Sequence, residues 1–243
     1  MTREKPTKVA FITGAGGEIG AAVARAFAED GTALVLTDLN EQSLVPLAQS
    51  LPVPVKTYAH DVTDFEATRR IADDAAASFG AIDHVVTSAG LYQHIEIRNA
   101  TFEQWRRSLA INLDGTFATI RCLLPHLAEG SAIVNIASVA GHKGSIDHTP
   151  YAAAKGGVIT LTRSLAQELA PKTRVNAVSP GLIDTKMLQN MEPERRQATA
   201  NALPLKRLGT SEEVAAVVKF LCAPAAGYIT GETIHVNGGL YLA

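Results

Sequence analysis

The 243-residue chain has only two cysteines, Cys122 and Cys222, a hundred residues apart and without neighbours at metal-ligand spacing. That excludes a disulfide framework and removes any argument for secretion. Both lie in apolar helical runs and read as small core residues. Excess charge of one sign is also missing: 22 basic residues face 24 acidic ones, a net charge of −2. Such a balance argues against nucleic acid and anionic membranes as partners. No run reaches the ~18 apolar residues that a membrane span needs. The start, MTREKPTK, has no apolar signal-peptide core. The expectation is a soluble, cytoplasmic protein. Aromatics make up 5% of the chain while glycine occurs nineteen times, which suits sheets and helices joined by tight turns.

What is present is a strict alternation of strand-like and helix-like segments. KVAFIT (8–13), TALVLTD (32–38), VPVKTYAHD (53–61), IDHVVTSAG (82–90), SAIVNIAS (131–138), TRVNAVS (173–179) and ETIHVN (232–237) read as strands. Helical stretches at 19–30, 41–50, 64–80, 102–127, 151–170 and 211–223 separate them. Strands joined by helix-length crossovers pair in parallel, and short apolar strands suit a sheet buried on both faces. The pattern predicts one domain over 1–243, an α/β Rossmann-type three-layer αβα sandwich on a seven-stranded parallel sheet. The polar, irregular stretch 182–210 follows a strand end, where ligands bind in such sheets, and reads as a substrate lid.

TGAGGEIG (13–20) joins the first strand to the first helix. Glycines let the backbone approach a ligand, and a helix N-terminus offers free N–H groups to a pyrophosphate. Gly14, Gly16, Gly17, Glu18 and Ile19 are therefore candidate dinucleotide contacts. Asp38 ends the second strand, where a carboxylate accepts bonds from adenosine ribose hydroxyls and repels a 2′-phosphate. With no lysine or arginine in the loop, this favours NAD over NADP. Asp38-Leu39, Asp61-Val62 and Thr87-Ser88-Ala89-Gly90 close three successive strands with polar or small residues, as expected of a site outside the carboxyl edge of the sheet.

Ser138 ends the fifth strand, and Tyr151-Ala-Ala-Ala-Lys155 begins the following helix. Residues four apart share a helix face. A neighbouring ammonium lowers a tyrosine pKa from its usual value near 10, making Tyr151 a usable acid or base. Ser138 is placed to bond a substrate oxygen. Seven histidines raise the question of a metal, but none has ligand spacing with a carboxylate partner. No metal is expected. His94 and His148 read instead as candidate walls of the substrate pocket.

With TGAGGEIG, HDVTD, TSAG, INLDGTF, NIASVAG, YAAAKGG, NAVSPGLIDTKM and YITGETIHVNGG in view, the chain resembles the single-domain short-chain dehydrogenase/reductases over nearly its whole length. It is most similar to their 3-oxoacyl-carrier-protein reductases and alcohol-dehydrogenase relatives. The resemblance implies hydride transfer between an alcohol carbon and a nicotinamide. Tyr151 would exchange the hydroxyl proton and Ser138 would orient the oxygen. Asn112 would join a water-bridged proton relay with Lys155. Pro180, Gly181, Ile183 and Thr185 would line the nicotinamide side, with Tyr151 and Lys155 also touching the cofactor. It also implies a homotetramer, paired through helices 102–127 and 151–170. Three departures stand out. Glu18 replaces the usual loop glycine, and its side chain is expected to turn out to solvent. Thr87-Ser88 replaces two asparagines. PHLAEGSA lacks the basic patch that would dock an acidic carrier protein. The leading reading is an NAD(H)-dependent oxidoreductase acting on a small secondary alcohol or ketone. The alternatives are a 3-oxoacyl thioester reductase and a non-catalytic dinucleotide-binding regulator.

Overall fold

The computed structural model describes residues 8–186 and 192–242. Seven strands form one sheet in the order β3-β2-β1-β4-β5-β6-β7. All neighbouring pairs are parallel. The strands are β1 Val9–Thr13, β2 Ala33–Asp38, β3 Val55–Ala59, β4 Ile82–Thr87, β5 Leu127–Ile136, β6 Thr173–Pro180 and β7 Thr233–Val236. The helices are α1 Glu18–Ala28, α2 Val45–Ser50, α3 Phe65–Phe79, α4 Phe102–Leu109, α5 Gly115–Leu123, α6 Ala140–Lys143, α7 Thr149–Leu169, α8 Pro193–Ala202 and α9 Ser211–Cys222.

The unbroken apolar strands follow from cores on both faces. In β1, Ala10 and Ile12 pack into one cluster with α1 and α9. Val9 and Phe11 point the other way, into a cluster with α3, α5 and α7. Phe11, Ile12, Leu34 and Leu36 are fully buried, each contributing roughly 1.5–3 kcal/mol. Strand order reverses beside β1, so the loops after β1 and β4 part and leave a crevice at the carboxyl edge. Thr13 Oγ1 ties the two loops, accepting from Ser88 N at 3.1 Å and Ala89 N at 3.2 Å.

Several sequence expectations need correction. The stretch 102–127 is not one helix: α4 and α5 are separated by a π-helical turn, Ala110–Asp114, and a 3₁₀ turn covers Leu124–His126. β5 starts at Leu127, before the expected Ser131. The stretch 41–50 is a 3₁₀ turn, Glu41–Leu44, followed by α2, because Pro46 fits only a first helical turn. β3 begins only at Val55, after Pro52 and Pro54. Within 182–210, residues 187–191 lie outside the described residues, and α8 is regular helix. Among the described residues, no helix is long and apolar enough to cross a membrane.

Candidate active site

The crevice is a cavity of about 760 Å³. Its floor is the loop between β1 and α1. Gly14 adopts φ +64°, and a Cβ there would lie 2.6 Å from Ala89 Cα. A Cβ on Gly20 would run into Gly14 O. No larger residue fits either place, so the loop stays low and the cavity stays open above it. Gly16 N donates to Asp38 Oδ2 at 3.0 Å, and Asn40 N to Oδ1 at 3.3 Å. These two amides fix the Asp38 carboxylate at the end of β2. Behind it, buried His60 bridges Thr37 at 3.0 Å and Thr68 at 2.8 Å. Thr63 donates twice to Asp61 Oδ1, at 2.9 and 2.7 Å, and these bonds hold its carboxyl below the usual range.

At the opposite end stand Ser138, Tyr151 and Lys155. Val139 N donates to Pro180 O at 3.0 Å and Ala140 N to Ser138 Oγ at 3.2 Å, which fixes the serine above the sheet. Tyr151 lies in the first turn of α7, and Lys155 one turn on, on the same face. Lys155 is buried, and its Nζ donates to Ile136 O at 2.7 Å, 5.8 Å from the Tyr151 ring centre. Burial pulls the ammonium down to about 8. The expected fall in the Tyr151 pKa does not occur in the protein by itself. Burial pushes it up to about 12; the bond with Ser138 opposes this, and neighbouring Tyr92 adds to it. The reason is physical: desolvation of a phenolate outweighs an ammonium that is itself buried and spent on a carbonyl.

Of the residues singled out from sequence, Gly14, Gly17, Glu18, Ile19, Asp38, Leu39, Asp61, Val62, Ser88, Ala89 and Gly90 line this one cavity. So do Ser138, Tyr151, Lys155, Pro180, Gly181, Ile183 and Thr185. Gly16, Thr87, Asn112, His94 and His148 do not. Thr87 turns into the sheet and donates to Asn135 Oδ1 at 2.8 Å. Asn112 sits in the π turn. Its Nδ2 donates to Leu91 O at 2.9 Å and Ser108 O at 3.0 Å, while Oδ1 accepts from Leu91 N at 3.1 Å. The side chain thus holds the loop after β4 and leaves Lys155 to Ile136.

His94 is largely exposed, its Nε2 3.8 Å from Asp147. His148 stacks behind Tyr92, with ring centres 4.2 Å apart, and Tyr92 meets the Tyr151 ring edge-on at 4.9 Å. Tyr92, rather than either histidine, forms the wall. The expectation for Glu18 also fails: its Oε2 accepts from Lys186 N at 2.7 Å. A carboxylate facing a free backbone N–H gains a charge-assisted bond that solvent exposure would not supply. Sequence reasoning passed over Tyr92, Arg107, Lys143, Ser145, Leu182 and Leu240. Lys143 and Ser145 lie between Ser138 and Tyr151 in the chain, which was a usable signal; Leu240, from the C-terminal tail, had none. Among the described residues, no group of three or more His, Cys, Asp or Glu is placed to hold a metal ion.

A family model described as enoyl-(acyl carrier protein) reductase, of the short-chain alcohol-dehydrogenase type, matches residues 14–241. The chain belongs to the short-chain dehydrogenase/reductase family and is an oxidoreductase of that kind. It is 36% identical to a 3-oxoacyl-[acyl-carrier-protein] reductase of Thermotoga maritima, covering 97% of this chain and 98% of the relative. A solved short-chain dehydrogenase/reductase of Brucella melitensis, described as a glucose/ribitol dehydrogenase, shares 43% identity and superposes with a TM-score of 0.95, each chain covered fully. A blue fluorescent protein from a metagenomic library, solved with NADPH, shares 30% identity with a TM-score of 0.92, over 98% of this chain and 99% of that one.

Proposed function

We propose that this protein interconverts a secondary alcohol and a ketone with NAD(H). One observation carries the reading: Asp38 and the Ser138–Tyr151–Lys155 group stand at opposite ends of a single cavity. The cavity is within the 300–1,000 Å³ range of cofactor sites. The low glycine loop would take the pyrophosphate, Asp38 the adenosine ribose, and Pro180, Gly181 and Ile183 the nicotinamide side. When bound, the dinucleotide supplies the hydride acceptor or donor. Ser138 holds the substrate oxygen by its hydroxyl. Tyr151, a phenol in the resting protein, gives its proton to a ketone oxygen, or takes one from an alcohol once positive charge nearby favours the phenolate. Lys155 holds a proton one helical turn behind it. Asn112 positions the Leu91 backbone.

Asp38 supports NAD in particular. Its carboxylate is already fixed by two amides, and among the described residues no cation forms an ion pair with it. The neighbour solved with NADPH makes the dinucleotide the first thing to test. We expect kcat/KM for NAD⁺ to exceed that for NADP⁺ by about a hundredfold, or two tenfold steps of 1.36 kcal/mol each. Tyr151→Phe should lower kcat by about 10³-fold while dinucleotide binding persists. A preference for NADP⁺ would remove Asp38 as a selector, and turnover surviving in Tyr151→Phe would remove the acid/base assignment.

The second reading, a 3-oxoacyl thioester reductase, is favoured by the Thermotoga relative. It shares the same site chemistry and differs in the length of substrate that the open end must admit. For the homotetramer implied by resemblance, Phe102 and Phe117 offer exposed apolar surface on the α4–α5 side.

A further inference from the structure

The charges lining the cavity are sorted by place. Its carboxylates, Glu18, Asp38 and Asp61, all stand near the carboxyl ends of β1, β2 and β3, where Glu18 opens α1, Asp38 ends β2 and Asp61 follows β3. Its cations are Arg107, Lys143 and Lys155. Arg107 lies within electrostatic reach of Asp61, on the acidic side of the cavity, and Lys155 is buried on Ile136 O. Lys143 remains. It ends α6, five residues beyond Ser138, is exposed, and among the described residues makes no ion pair. The acid nearest in sequence, Asp147, faces His94 instead.

Beside Lys143 the wall is polar and firmly held. Ser145 Oγ lies 3.2 Å from His148 Nδ1, beside the Tyr92 ring. Because a carbonyl only accepts, His148 Nδ1 carries the hydrogen it gives to Ile146 O, so Ser145 can only accept from that ring and keeps its own O–H for a ligand. The 144–148 loop that carries Ser145 is pinned to the strand-like segment after β4. Ile95 N donates to Asp147 O at 2.6 Å, Ile95 bridges His148, and His148 stacks on Tyr92. His148 Nδ1 donates to Ile146 O at 2.6 Å, which fixes the ring behind that stack. Asp147 holds φ 59°, a left-handed conformation rarely taken by non-glycine residues. An ammonium and a spare hydroxyl donor thus line the same cavity as the Ser138–Tyr151 pair, and among the described residues none of the carboxylates lining it stands beside them.

Resting on the oxidoreductase reading above, we propose that the substrate is a short hydroxy acid, or the corresponding oxo acid. Its carboxylate binds Lys143 and the Ser145 hydroxyl, and its carbinol lies on Ser138 and Tyr151. In oxidation the carbinol C–H bond breaks, and its electron pair leaves as hydride to the oxidised nicotinamide dinucleotide. The O–H proton leaves through Tyr151, the C–O bond becomes a carbonyl, and the carboxylate is unchanged.

The test compares matched pairs, such as 3-hydroxybutyrate with methyl 3-hydroxybutyrate and lactate with methyl lactate, oxidised with NAD⁺. The wild-type protein should favour the best acid over its ester by about tenfold in kcat/KM, the ratio given by 1.4 kcal/mol, and added salt should erode that margin. Lys143→Gln should abolish the margin through KM and leave the ester unaffected; Lys143→Arg should keep it. The proposal is overturned if no acid outperforms its ester, or if Lys143→Gln slows both alike. In either case neutral alcohols are still oxidised and the oxidoreductase reading stands. Absence of NADH formation from every acid, ester and neutral alcohol sinks both.

Discussion

Tyr151 shows how far a residue's behaviour depends on what surrounds it. A lysine four residues on was expected to acidify it. The folded protein does the reverse, because desolvation raises the phenol to about 12 and lowers Lys155 to about 8. The resting pair is therefore neutral at Tyr151, and Lys155 loses its charge near pH 8. Absorbance at the phenolate band should show no ionisation assignable to Tyr151 below about pH 11 in the free protein, taking Tyr151→Phe as the difference. With NAD⁺ bound, that ionisation should move to lower pH. A Tyr151 titration near pH 7 without dinucleotide would falsify the burial argument. Glu18 makes the same point in another way. Its identity broke a familiar glycine pattern, yet its carboxylate serves the Lys186 amide across the cleft.

Among the elements, α9 holds the far bank of the site. Thr210 caps it, accepting from Glu213 N at 3.2 Å, while Glu213 Oε2 accepts from Thr210 N at 2.9 Å. The residue before the cap, Gly209, bridges Ile183 and accepts from Asp184 N through its carbonyl. A cap of this kind contributes about 1 kcal/mol. Thr210→Ala should lower the melting temperature by roughly 2–4 °C for a chain of this size, and should raise the dinucleotide KM if the bank loosens. A melting temperature within error of wild type would show the cap to be idle. This helix was legible beforehand as the apolar helical run 211–223, and its capping box came to light with the structure. The strands were legible because burial on both faces demands continuous apolar runs. The π turn was not, because the apolar period of 102–127 runs on through Asn112 and only the side chain's two bonds to Leu91 reveal the extra residue. Nor was the choice of Tyr92 over His94 and His148, which depends on where the 144–148 loop crosses the segment after β4.

At the scale of the whole molecule, acid sensitivity should be traceable to the sheet. His84 in β4 is buried against Phe27, with ring centres 5.2 Å apart. Burial, with Lys8 and Arg174 in support, lowers its pKa from 6.5 to about 4. The unfolded chain then binds a proton that the folded one refuses. Stability is full above pH 6.5, falls between 6.5 and 4, and loses nothing more from this residue below that. The loss is about 3 kcal/mol, at 1.36 kcal/mol per pH unit. Urea unfolding at pH 7.5 and 4.5 should show it in the wild type and not in His84→Leu; equal losses in both would assign the sensitivity elsewhere.

The tie at Thr13 bears on all of this. Two amides from the neighbouring strand end on one hydroxyl, and valine, nearly the same shape, would leave both without a partner. The gap between the two halves of the sheet is gauged by a single oxygen atom. Any descendant of this sequence that widens its cofactor crevice has its simplest route through that atom, at the risk of letting water in between the strands.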